Sequence, residues 1–101
     1  MTPEAEDLCN QIGQQIINAI PEAWETAWVT VKFEPGVVSA QGFYKKHHNT
    51  AQYNFRVVGA INRLFARLRE LIRKDEQDMW AKATFTIQED KTFKVDFEYE
   101  Q

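Results

Sequence analysis

Apolar and polar positions repeat with two periods along the chain, and the points where the period changes divide it into six elements. Leu8, Ile12, Ile16 and Ile20 recur at four-residue steps with Cys9 and Ala19 beside them, the apolar stripe of an amphipathic helix. Thr2 suits its N-cap, Pro3 its first position, and Glu4, Glu6 and Asp7 the positive end of its dipole. Pro21 should stop it, and Glu6, Asn10, Gln14 and Asn18 form a polar outer face. From Ala27 the period falls to two, with Val29, Val31 and Phe33 alternating with Trp28, Thr30, Lys32 and Glu34. Pro35-Gly36 then supplies the fixed and the positive φ of a type II turn, so the return strand Val37–Tyr44 closes a hairpin. Its alternation is poor, because Val37 and Val38 are both apolar and Gly42 interrupts it.

Lys45–Gln52, with two lysines and His47-His48, reads as a solvated connection or a short further strand. Val57, Val58, Ile61, Leu64, Phe65, Leu68, Leu71 and Ile72 next form a wide stripe that predicts a helix from Asn54 to about Asp78. Two half-buried strands follow, Ala81–Gln88 and Phe93–Glu100. Cross-strand partners point to one face, so pairing Ile87 with Phe93 predicts an odd, three- or five-residue loop around Asp90. The order α-β-β-α-β-β predicts a single α+β domain over residues 1–101. Its simplest form is a four-stranded antiparallel sheet with two helices packed on one face.

Composition agrees with one domain. A chain of 101 residues and 11.8 kDa with 44% hydrophobic residues can bury about two thirds of its surface, enough for one core. The single cysteine, Cys9, excludes an internal disulfide framework, and its place beside the helical stripe suits a small buried thiol. The acidic start leads into no continuous apolar run, so neither a signal peptide nor a membrane span is expected and the location expected is cytoplasmic.

Catalytic chemistry finds little support. The four glycines are scattered without a phosphate-binding run, and the one serine, Ser39, falls in a strand. Adjacent histidines on an extended segment point opposite ways, so His47 and His48 would need recruited carboxylates to hold a metal. No enzyme activity and no cofactor are therefore expected.

Charge is more informative. The net balance of −3 conceals −5 over residues 1–34, +5 over residues 55–74 and −3 over residues 89–101. Asp96, Glu98 and Glu100 alternate with Val95, Phe97 and Tyr99, so they line one face of the last strand, where repulsion gives no folding benefit. They fit either a solubilising outer face or a surface for a basic partner. Glu89 and Asp90 extend that surface at the loop. Trp28 either adds an aromatic anchor on the outer face or caps the core. Against this stands a nucleic-acid-binding module using Arg56, Arg63, Arg67 and Arg73 on the second helix, disfavoured by the acidic balance.

Glu4-Ala5-Glu6-Asp7-Leu8, the Ile20-Pro21-Glu22-Ala23-Trp24-Glu25 junction, the amphipathic second helix and the ending Phe93-Lys94-Val95-Asp96-Phe97-Glu98-Tyr99-Glu100 together resemble the YezG-like immunity proteins. The resemblance spans nearly the whole chain and implies an antitoxin that binds a cognate polymorphic toxin, secreted or delivered by contact and commonly a nuclease. It implies binding rather than catalysis, and a nuclease's basic substrate surface is a sensible mate for an acidic strand face. Two departures are the short middle region and Lys91-Thr92, which stand where the family usually has a glycine before the final strand.

Overall fold

The computed structural model describes residues 2–72 and 80–99. Helix α1 spans Pro3–Ala19, and Thr2 caps it by accepting a hydrogen bond from the Ala5 amide at 3.2 Å. Ile20 leaves the helix in an extended conformation, as the residue before a proline must. Strands β1 (Thr26–Glu34) and β2 (Val37–Lys45) form the expected hairpin, with Gly36 at φ 75° in the position of the turn that requires positive φ. Helix α2 (Gly59–Ile72) precedes β4 (Trp80–Gln88) and β5 (Phe93–Tyr99), which pair with Ile87 opposite Phe93.

The β4–β5 loop is the three-residue form, Glu89-Asp90-Lys91, closed by the Gln88 amide donating to the Thr92 carbonyl at 2.9 Å. Lys91 sits at φ 74°, the left-handed position that completes such a loop and that glycine fills without strain. This is where the departure from the family's glycine is felt. Lys91→Gly is expected to stabilise the fold by about 0.5–1 kcal/mol, the left-handed penalty less glycine's chain entropy. Chemical denaturation of the two proteins measures it.

The four-strand expectation is corrected here. The sheet has five strands in the order β3-β2-β1-β4-β5, because Tyr53–Phe55 is a strand, β3, paired antiparallel with β2. Asn54 and Phe55 fall inside the segment whose apolar stripe predicted helix, and α2 instead begins at Gly59. The physical reason is Gly42. It pairs with Phe55, and a Cβ there would lie 2.6 Å from Phe55 Cζ, so the ring rests on bare backbone that any side chain would occupy. Burial of that ring is a non-local gain that overrides the start of the helical pattern. The predicted end of α2, near Asp78, lies outside the described residues.

The core fills one face of the sheet. From α1 come Ala5, Leu8, Cys9, Ile12 and Ile16, from α2 Ile61, Phe65 and Leu68, and from the sheet Ala27, Val29, Val31, Phe33, Ala83, Phe85 and Ile87. Both helices pack on this face, so the alternate residues of β1, β2, β4 and β5 form an outer face that the described helices leave uncovered.

Candidate partner-binding surface

The β1–β2 turn fixes the outer face. Because Glu34 pairs with Val37, counting back along both strands sets Trp28 opposite Phe43, and both point away from the core. Their rings stack with centroids 5.8 Å apart, and the Lys45 ammonium lies 6.0 Å from the Trp28 ring centroid. Around this pair the face is short and polar. Thr30 lies between Gln41 and Thr84, and Thr86 lies between Trp28 and Lys94. The aromatic pair therefore stands among threonines and a glutamine that add little bulk around it.

Asp96 and Glu98 stand on this same face, but they are not an unbroken acidic strip. Glu98 pairs across the ladder with Lys82, Asp96 pairs with Thr84, and Lys94 Nζ lies 3.7 Å from Asp96 Oδ1. Lys32 and Glu34 form a further pair at 2.9 Å, which holds the Lys32 ammonium above its ordinary pKa. The face thus presents both signs toward β5 and aromatic surface around β1 and β2. Glu100 lies outside the described residues.

Glu89 and Asp90 lie at one end of the sheet, where three loops meet. The Glu25 amide donates to Lys45 O at 2.8 Å, and the Glu89 amide donates to Glu25 O at 2.9 Å. His47 stands between them, with Nε2 2.6 Å from Glu89 and Nδ1 3.7 Å from Glu25. Beside it Lys46 pairs with Glu22 at 2.6 Å, and the Tyr44 hydroxyl donates to the same carboxylate. Asp90 has a local task, accepting from the Thr92 amide at 3.0 Å and from its hydroxyl at 2.6 Å across the turn.

Glu22, Glu25, Tyr44, Lys46 and Phe43 are therefore part of this end or face and were not among the expected residues. The signal for Phe43 was present in the turn register. No local pattern announces Glu22 and Glu25, whose partners lie about twenty residues or more away.

These contacts set charge states. Lys46 and then Tyr44 hold the Glu22 carboxyl below its ordinary 4.5, and Tyr44 and Lys46 are raised in return by Glu22. The Thr92 hydroxyl and amide hold Asp90 below its ordinary 3.8. Lowered folded values mean that the unfolded chain binds more protons on acidification. This contribution to stability is complete above about pH 4.5 and is lost as pH falls through the lowered folded values. Glu22→Gln with Asp90→Asn is expected to lower stability at neutral pH and to flatten the acid limb of a plot of stability against pH.

Other candidates lie elsewhere. Burial, and to a lesser degree Glu6, pushes the Cys9 thiol up to about 11, which keeps it protonated and a poor nucleophile. Among the described residues no group of three or more His, Cys, Asp and Glu side chains is arranged to hold a metal. No described helix is long and apolar enough to cross a membrane. Arg63 and Arg67 line an open groove with Gln11 and Gln15 between the helices, on the opposite side of the molecule from Trp28. Arg56 is exposed before α2, and Arg69 lies 4.8 Å over the Phe33 ring, whereas Arg73 is outside the described residues.

No curated protein matches the sequence. The family model for YezG-like immunity proteins matches residues 51–101, half of the chain, covering β3, α2, β4 and β5, and the chain therefore belongs to that family.

Proposed function

We propose that the chain is a non-enzymatic immunity protein that binds a cognate toxin domain, a nuclease, and blocks its access to substrate in the cytoplasm of the protected cell. The observation that carries this reading is the outer sheet face. Two helices close the opposite face, while Trp28 and Phe43 stack half-exposed on this one, with Asp96 and Glu98 two strands away from Trp28 on the same face and Glu89 and Asp90 at one end. A stacked aromatic pair supplies desolvated contact area at little entropic cost. Carboxylates at the margin attract a basic substrate-binding surface and raise the association rate.

The test uses the cognate toxin domain, sought first in the reading frame next to this one. Reversing Asp96, Glu98 and Glu100 to lysine is expected to slow association by about tenfold at low salt and to weaken protection of cells expressing the toxin. Unchanged association and full protection would remove these residues from the interface.

A further inference from the structure

Strand β5 ends the sheet, and no described strand pairs on its far side. The other edge is β3, with only three residues, whereas β5 offers seven. The hydrogen bond from Gln88 N to Thr92 O shows which groups of β5 face outward. Alternation along the ladder puts Lys94 and Asp96 in the pairs bonded to Thr86 and Thr84 and turns the N–H and C=O of Phe93 and Val95 toward the open edge. On the core side of this strand Phe93, Val95 and Phe97 are only half-buried, in contrast to Phe85 and Ile87 on β4.

An edge of this kind either repels or accepts another strand, and the order of its charges decides which. Two copies of β5 meeting antiparallel about a two-fold axis align their outward-facing amides about any residue of the strand, and the centres that keep most of it paired are Val95, Asp96 and Phe97. A centre at Phe97 sets Asp96 opposite Glu98 twice over, and a centre at Asp96 sets that carboxylate on its own copy while Lys94 faces Glu98. A centre at Val95 sets Lys94 opposite Asp96 of the second copy twice over, Phe93 opposite its Phe97 twice over, and Val95 on Val95.

We propose that β5 is a self-association edge, at which a second copy of the chain pairs antiparallel about Val95 to continue the sheet across both molecules. The charges that blunt the edge against unrelated strands are complementary to themselves in this register without any like-charge pair. The contact is one strand wide, well below a standard interface of about 800 Å² per partner, so the dimer forms reversibly and dissociates on dilution.

Sedimentation velocity of the isolated chain, without toxin, from about 5 to about 500 µM tests this over the range where a narrow contact is populated. The wild type is expected to shift from monomer to dimer with concentration. Lys94→Glu and Asp96→Lys each place like charges together twice and are expected to weaken association at least fivefold, while the double variant restores it. Val95→Pro deletes an amide that β4 does not use and is expected to abolish the dimer while retaining the wild-type circular dichroism spectrum. A wild type that stays monomeric throughout overturns the proposal, as do single variants that dimerise like wild type or a double variant as weak as the singles. None of these outcomes bears on toxin binding, whose failure would show separately.

Discussion

Trp28→Ala is expected to weaken binding of the toxin domain by about 100-fold, equivalent to about 2–3 kcal/mol, while leaving the fold intact. Trp28 points away from the core, so its loss opens no internal cavity. The chain forfeits the stack on Phe43 and the contact with Lys45, worth about 1 kcal/mol of stability together. Binding loses far more, because the indole is the largest apolar side chain on the outer face among the described residues and its partner surface would be left facing a void. Titration calorimetry with the purified toxin domain, beside a thermal melt of the variant, separates the two effects. Trp28→Phe is expected to recover part of the affinity, since a phenyl ring can still stack on Phe43. Unaltered affinity in Trp28→Ala would place the interface elsewhere.

The largest effect on stability is expected at Phe85. Its side chain is fully buried at the centre of the core, stacked on Phe93 at 5.3 Å and meeting Phe65 of α2 edge-on at 6.3 Å. It thereby ties the second helix to β4 and β4 to β5 through one ring. Phe85→Ala should cost about 3–5 kcal/mol from lost burial and the cavity left behind. Domains of this size have only about 5–15 kcal/mol in total, so urea unfolding should show a midpoint reduced by about a fifth or more. Phe85→Leu fills most of the space and should retain most of the stability.

These two residues mark what the sequence makes legible. Val29 and Val31 alternating with Trp28 and Thr30, and Pro35-Gly36 at the turn, define β1, β2 and their register from local rules alone. The same holds for Ile87 opposite Phe93, since two apolar runs separated by an odd loop can pair in few ways. That register also brings Lys82 beside Glu98, a consequence that follows once strands are aligned and that alternation within one strand does not display. Tyr53–Phe55 was hidden for a physical reason. Three residues cannot establish a period, Val57 and Val58 extend the helical stripe backward toward them, and the contact that orders the strand is with Gly42 on β2. The meeting of Glu22, Tyr44 and Lys46 was hidden in the same way, being made by loops that come together only when the sheet is complete.

The one-sided placement of the helices has a consequence for how such a chain changes over generations. Residues that hold the fold, such as Val31, Phe85 and Ile87, and residues that face outward, such as Trp28, Thr30, Thr84 and Thr86, occupy alternate positions of the same strands yet form disjoint sets. Substitutions at these half-buried outward positions leave the core intact and cost about 1 kcal/mol or less, the aromatic stack at Trp28 being the largest such term. On the proposed interface, recognition can therefore drift one outward residue at a time across β1, β2 and β4 without the chain passing through an unfolded ancestor. A lineage confronted with altered toxins needs no new scaffold, and grafting the outward residues of one relative onto the inward residues of another is the laboratory form of the same history.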